Sequence, residues 1–196
     1  FTSKDRENWE QDAKYFYYEH GPLARTEIGD KKVQSSDMSY TIQGWLKGAN
    51  SEDLDVNHDQ GHDGKVGNIN RMNAKDVCGY SLHYYDGDYT ARSAINAFLA
   101  YSNTVTPSPD SDLFNGNIKQ MYTASTNIDE VYIGTSHTWY AYDQLNRIKS
   151  MNQEELGGDD TDVLSGYAAT YSYDKNGNLQ TLTRAVPTPV LGTNAI

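Results

Sequence analysis

A short pattern that predicts a β-hairpin recurs along this chain and limits what it can fold into. Its clearest copy, residues 171–179, reads Tyr-Ser-Tyr-Asp-Lys-Asn-Gly-Asn-Leu. An Asn-Gly pair between alternating large residues is the strongest short-range hairpin signal. The pattern predicts a three-residue loop that Asp174 starts, because its side chain can accept backbone N–H groups. Gly177 then takes the positive φ angle at no steric cost.

The register of this hairpin follows from its predicted loop. Tyr173 is expected opposite Leu179, and Tyr171 opposite Thr181. Because side chains alternate along a strand, these four residues are predicted to share one face.

Three further copies of the pattern begin at Tyr15, Met38 and Tyr140, and a weaker echo spans 114–118. The first two copies have Tyr18 and Thr41 in place of the turn-starting Asp. The residues that fill the pattern are Tyr15, Tyr17, Gly21 and Leu23; Tyr40, Gly44 and Leu46; Tyr140, Tyr142, Asp143, Asn146 and Ile148; and Tyr171, Tyr173, Asp174, Gly177 and Leu179. One isolated hairpin is marginally stable, so we expect an all-β fold of repeated antiparallel hairpins in one long, twisted sheet.

The motif Tyr-x-Tyr-Asp-x-x-Gly-x-Leu resembles the signature of the RHS or YD (tyrosine–aspartate) repeat, and residues 140–148 and 171–179 carry it. Other segments resemble the version common in Bacteroidetes-type proteins; they are 43–48, 74–77, 84–89 and 113–118. The resemblance implies that the sheet spirals into a large hollow shell. Such shells often enclose a variable C-terminal toxin or effector.

The same resemblance implies a function and partners. The chain is expected to be a non-catalytic structural segment of a secreted or cell-surface protein. Its partners would be the remaining repeats and the C-terminal domain of the same polypeptide. The family's autoproteolytic region carries an Asp-Pro-x-Gly type motif, which is not found in this sequence, so no cleavage activity is carried over.

Two other functions are compatible with the residues. A surface adhesin or carbohydrate-binding module would use aromatic side chains to contact glycans or another protein, and the chain has 16 Tyr besides Trp9, Trp45 and Trp139. A hydrolase would use the carboxylates of the acidic stretch 152–165, since paired carboxylates can hydrolyse glycosides. We expect that stretch to be a solvated loop inside a repeat.

Charge and composition exclude several classes of protein. The net charge of −11 argues against nucleic acid and anionic lipid as partners. No run of 18 apolar residues occurs, so no membrane insertion is expected. The single cysteine, Cys78, excludes an intrachain disulfide and is predicted to be a small buried hydrophobe. Because the chain starts at Phe1 without Met and stops soon after a repeat, we interpret it as an internal fragment.

The pattern also divides the chain. The predicted segments are hairpins one and two at 1–49, an inserted polar Asp- and Gly-rich surface loop at 50–70, strands of the repeat sheet at 71–135 with a Pro-containing connection near 106–112, hairpins three and four at 136–185, and an extended tail at 186–196. Residues 91–101 fit either a helix or a strand.

The inserted loop carries the candidate metal ligands. They are Asp53, Asp55, Asn57, Asp59 and Asp63. Asp55, Asn57 and Asp59, followed by Gly61, resemble the first half of a calcium-binding EF-hand loop. The Gly comes one place late, and no Glu closes the loop, although Asp63 can replace it. We hypothesise a Ca²⁺ site here, against the alternative of a solvated polar loop, and expect no other cofactor and no catalytic residue.

Overall fold

The computed structural model describes residues 1–91, 97–98, 112–127, 132–156 and 166–185. Within these ranges the fold is all-β, as predicted, and contains no helix. Its ten strands follow chain order in one antiparallel sheet. The predictions for the acidic residues 157–165 and the tail 186–196, and most of those for 91–101 and 106–112, fall outside the described residues.

The strands are β1 (Ala13–Tyr17), β2 (Leu23–Ile28), β3 (Gln34–Tyr40), β4 (Leu46–Ala49), β5 (Cys78–His83), β6 (Gln120–Thr126), β7 (Tyr132–Tyr142), β8 (Ile148–Leu156), β9 (Ala168–Tyr173) and β10 (Leu179–Ala185). In the described part of the chain, no helix is long and apolar enough to cross a membrane.

The chain divides into two compact units. Unit 1 comprises Phe1–Ser81 and Tyr89–Thr104, and contains β1 to β4. Unit 2 comprises Leu82–Asp88 and Val105–Ile196, and contains β6 to β10. Each unit is described by itself below.

All four predicted hairpins have the same turn. The fourth residue of each turn has a positive φ angle and is here called the left-handed residue; it is Gly21, Gly44, Asn146 or Gly177. Its N–H donates to the carbonyl of the turn-starting residue at 2.9–3.1 Å. The predicted positive φ angles are confirmed, at 113° for Gly21, 83° for Gly44, 61° for Asn146 and 89° for Gly177. Asn is one of the few side chains that tolerates this backbone region, which explains how Asn146 replaces Gly.

The side chain of the turn-starting residue also acts as predicted. The carboxylate of Asp174 accepts the N–H groups of Asn176 and Asn178, at 2.9 and 2.8 Å. Asp143 accepts those of Leu145 and Arg147 in the same way, at 2.8 and 3.0 Å. Each of these bonds joins residues no more than four positions apart, so the geometry of the turn is encoded locally.

The register beyond the turn corrects one prediction. Leu179 lies opposite Tyr173 as expected, but Leu182, and not Thr181, lies opposite Tyr171. A β-bulge between Leu179 and Thr181 adds one residue to β10 and breaks the alternation that the prediction assumed. Thr181 therefore does not share the predicted face.

The same bulge occurs at the same place in the other three hairpins. Each has a register shift directly after the Leu or Ile that closes the pattern, so that Ala24, Lys47 and Lys149 are the additional residues. A bulge bends its strand and increases the local right-handed twist. Four copies of one sequence pattern thus form four copies of one irregular hairpin.

Two boundaries and the exposure of one residue differ from the sequence prediction. The segment between β4 and β5 contains no strand and continues past residue 70 to Val77. Residues 152–156 belong to β8 and not to a loop, because β7 offers a long partner strand along which His137 pairs with Glu154. Cys78 is exposed and not buried, since the next residue of β5, Gly79, is the one that faces inward.

Candidate metal centre in the inserted segment

The centre is built on one face of β2 and β3 in unit 1. Along β3 the buried positions are Ser35, Asp37 and Ser39, whereas the residues between them are half-exposed. Arg25 of β2 lies opposite Asp37, and Glu27 lies opposite Ser35. The covered face of these strands is therefore polar and charged, which is the reverse of the usual hydrophobic pattern.

The segment 50–77, here called the inserted segment, lies on this polar face. Asp63 pairs with Arg25 at 2.6 Å, and the amide of Asn73 donates to the hydroxyl of Ser35 at 3.0 Å. Ser39 donates its hydroxyl to Gln60 at 2.7 Å. These contacts join the inserted segment to the strands through polar groups alone.

Part of the inserted segment is buried, although the sequence predicts a surface loop. Glu52 and Asp63 are 0% exposed and Asp59 is 3% exposed. Charged side chains are costly to bury unless they are paired, which is the basis of the rule that places Asp- and Gly-rich stretches in solvent, but the rule fails here. It fails because the complementary polar face is formed by residues distant in sequence.

Three carboxylates converge at the centre, here called the aspartate cluster. Asp37, Asp59 and Asp63 each place one oxygen within 4.8 Å of the others. Arg25 forms ion pairs with Asp37 and with Asp63. The backbone N–H of Asp63 donates to the Asp59 carboxylate at 2.8 Å, which fixes these two side chains relative to each other.

A fourth carboxylate, Asp76, lies beside Asp59 and is 8% exposed. Its Oδ1 accepts a hydrogen bond from the amide of Gln34 at 3.3 Å. Its Oδ2 is buried and has no hydrogen-bond partner among the described residues, and the same holds for Asp59 Oδ1 and Asp63 Oδ2. Buried oxygens of this kind require an explanation, since buried polar groups are nearly always paired.

The environment changes the acidity of these groups. Burial raises the pKa of Asp37 to about 7, against the opposing effect of Arg25. Burial, together with repulsion from Asp59, raises the pKa of Asp76. Burial also raises the pKa of Asp63. Burial therefore makes Asp37, Asp63 and Asp76 weaker acids than an ordinary aspartate.

The five predicted calcium ligands do not converge at one place. Asp59 and Asp63 belong to the aspartate cluster. Asp55 and Asn57 are exposed, and they form a local turn in which Asp55 accepts the N–H of Asn57 at 2.8 Å. Asp53 instead contacts His58 at 2.6 Å. The EF-hand arrangement of five loop ligands is therefore not formed.

Sequence reasoning missed Asp37 and Asp76. Asp37 lies in a strand distant from the loop, and Asp76 lies beyond the predicted end of the loop. One signal was present, because Ser35, Asp37 and Ser39 alternate at the period of a strand and mark a polar face.

In unit 2, polar side chains link successive turns. Asn146, the left-handed residue of hairpin three, accepts amide bonds from Asn115 at 2.7 Å and Asn117 at 3.2 Å, both in the weaker echo of the pattern. Arg147 of the same turn donates to the carbonyl of Asp174 in hairpin four at 3.3 Å. Its guanidinium lies over the ring of Tyr173, at 4.6 Å from the centroid.

The second Tyr of the pattern links successive hairpins in the same unit. The hydroxyl of Tyr142 donates to the carbonyl of Ile118, and that of Tyr173 to the carbonyl of Ile148, both at 2.9 Å. In each case the acceptor is the aliphatic residue that closes the preceding copy of the pattern. These bonds give the pattern a reason to use Tyr and not Phe at this position.

The aromatic residues differ between copies of the pattern. Tyr15 and Tyr17 are exposed, whereas Tyr140 and Tyr142 are half-buried. Burial raises the pKa of the Tyr140 hydroxyl, with Tyr171 as a further contribution. An open groove of about 400 Å³ in unit 2 is lined in part by Tyr167, Tyr171 and Arg184.

No protein-family model matches this chain, and a search of curated proteins found no significant match.

Proposed function

We propose that the chain is a non-catalytic structural segment of a large RHS/YD-repeat protein, secreted or on the cell surface. In this proposal it forms part of a β-shell that encloses or presents a C-terminal toxin or effector. The observation that carries the proposal is that the four hairpins have the same local structure. Four copies of the pattern have the same turn, the same left-handed residue and the same bulge.

The links between hairpins support an extended sheet. Tyr142 and Tyr173 each bond to the preceding copy of the pattern, and Arg147 reaches the following one. When each repeat contacts mainly its neighbours, stability adds along the chain and the number of repeats is not limited. The repeated bulge adds twist at each hairpin, which favours a coiled sheet over a flat one.

Strand β10 supports further repeats of the same polypeptide as partners. All its residues are exposed, and within the described ranges it pairs only with β9. An unpaired strand edge is a template for another strand. We infer that a following hairpin covers this edge in the parent polypeptide.

The exposed edge of β10 allows a direct test of this inference. The isolated chain is expected to associate through β10, and Leu182→Lys should reduce that association, since a charged side chain on an edge opposes pairing. Leu182 is 43% exposed. Ile42→Lys, at a turn position that is 94% exposed, is the control and should leave association unchanged. A stable wild-type monomer by light scattering would contradict the edge argument.

The parent polypeptide tests the shell itself. We expect many further copies of the hairpin pattern, followed by a variable C-terminal domain that resists protease while the shell is intact. A parent chain without further copies would count against the proposal.

The alternative is a surface adhesin or carbohydrate-binding module. The groove beside Tyr167 and Tyr171 favours this reading, since aromatic rings and an Arg are suitable for contacting sugars. A glycan array distinguishes the two functions. Binding that is lost in Tyr171→Ala would support the adhesin, and failure to bind across the array would leave the structural segment.

A further inference from the structure

We propose that the aspartate cluster of Asp37, Asp59 and Asp63, with Asp76 beside it, binds one Ca²⁺ ion that joins the inserted segment to β3. This site is distinct from the five-ligand loop that the sequence predicts. It combines Asp37 of β3 and Asp76, near the end of the inserted segment, with only two of the five predicted loop ligands, Asp59 and Asp63.

Unpartnered oxygens inside the cluster carry the proposal. Asp59 and Asp63 are at least 97% buried, and each has one oxygen without a hydrogen-bond partner among the described residues. Asp76 adds a third such oxygen, and its carboxyl lies within hydrogen-bonding reach of Asp59, so that the two can share a proton where no cation is bound. An acidic surface cluster would satisfy these oxygens with water, but buried ones need a proton or a cation.

Charge balance leads to the same conclusion. Five carboxylates surround this site, and two basic side chains pair with three of them; the carboxylates are Glu27, Asp37, Asp59, Asp63 and Asp76, and the basic side chains are Arg25 and the partly exposed Lys32. Arg25 takes up one oxygen of Asp37 and one of Asp63, while Lys32 contacts Glu27 at 3.3 Å. Neither basic side chain contacts Asp59 or Asp76 in the described structure. The side of the cluster away from Arg25 therefore keeps the surplus negative charge.

The donors select the ion. All of them are oxygens, and no Cys or His belongs to the cluster, so a hard cation is favoured over zinc. The donors come from one strand, β3, and from the irregular inserted segment. Such a mixed set suits the variable geometry of Ca²⁺ better than the strict octahedron that Mg²⁺ demands.

Titration calorimetry with CaCl₂ on the whole 196-residue chain tests the proposal. We expect one site per chain, and Asp59→Asn should weaken Ca²⁺ binding by at least about tenfold because it removes a ligand charge. Asp76→Asn should weaken it as well. Asp55→Asn is the matched control, since it makes the same substitution at an exposed position of the same segment, and it should bind as wild type.

Thermal unfolding in Ca²⁺ and in EGTA provides a second readout that does not depend on the heat of binding. Ca²⁺ should raise the melting temperature of the wild type and of Asp55→Asn, and it should raise that of Asp59→Asn much less. Circular dichroism establishes that each variant folds. A variant that does not fold is replaced by Asp76→Asn in the comparison.

No heat at millimolar Ca²⁺ would overturn the proposal. Equal Ca²⁺ binding by Asp59→Asn and the wild type would also overturn it. Loss of binding in Asp55→Asn alone would overturn it too, because it would show that the ion binds at the exposed turn of Asp55 and Asn57.

Discussion

The tyrosine hydroxyl is the smallest feature that explains the repeated pattern. Tyr142 donates to the carbonyl of Ile118, so Tyr142→Phe keeps the ring and removes one hydrogen bond between successive copies. We expect it to lower the free energy of unfolding by about 1 kcal/mol. Chemical denaturation measures the change.

The control for this substitution is Tyr17→Phe. Tyr17 is 64% exposed, and no hydrogen bond to its hydroxyl is found in the described part of the chain. Its stability should match that of the wild type. An equal loss in both variants would show that the hydroxyl acts through solvation and not through the link between hairpins.

Asn146 combines two roles at one position. Its φ angle of 61° is unfavourable for most side chains, and its Oδ1 accepts amide bonds from Asn115 and Asn117. Asn146→Ala should destabilise the protein by about 1–2 kcal/mol, because Ala tolerates this conformation poorly. Asn146→Gly keeps the backbone freedom and loses only the amide bonds, so it should be the more stable variant. If the two variants have equal stability by denaturation, the turn carries no backbone strain.

At the scale of the element, the inserted segment depends on close backbone approach at Gly61. A Cβ added there would meet the Arg25 guanidinium and the Asp37 carboxylate. Gly61→Ala should therefore lower stability by about 1–3 kcal/mol, as overpacking does. Amide hydrogen exchange should show the loss of protection in β2, β3 and the inserted segment. Normal protection there would mean that the segment shifts without cost.

The elements also show how far the sequence predicts the fold. The turns were predicted to the residue, because Asp174 and Gly177 determine their geometry within a few positions. The bulge after Leu179 was not predicted, since its extra residue has no local signature and is fixed by pairing across the sheet. Of the candidate site, Asp59 and Asp63 were predicted, but Asp37 joins them only through tertiary packing.

At the scale of the whole molecule, two populations of carboxylates, one in the turns and one at the aspartate cluster, have pKa values shifted in opposite directions. In the turns, hydrogen bonds from Arg147 lower the pKa of Asp143, and those from Asn178 lower the pKa of Asp174. In unit 1, burial raises the pKa of Asp37 to about 7 and also raises the pKa of Asp76. The first population favours the folded state above the ordinary Asp pKa of about 3.9 and loses this effect only as the pH falls through the lowered values.

The second population has the opposite sign. A carboxyl whose pKa is raised on folding binds more protons in the folded state, so its folded form is most favoured below about pH 3.9. That advantage declines as the pH rises towards the raised values. Since the turn carboxylates are already ionised in both states above about pH 5, the Ca²⁺-free protein should lose stability steadily between about pH 5 and pH 8.

Denaturation in EGTA across this pH range checks the sign and its origin. Asp76→Asn removes one carboxyl that must ionise while buried, so its stability should decline less steeply with pH than that of the wild type. Asp174→Asn alters only a turn carboxyl and should leave the decline between pH 5 and pH 8 unchanged. Ca²⁺ should flatten the wild-type curve, because the ion favours the ionised cluster that alkaline pH otherwise penalises. Stability that rises with pH in EGTA would show that the cluster is already neutralised by Arg25 and Lys32, and would remove the electrostatic reason for an ion.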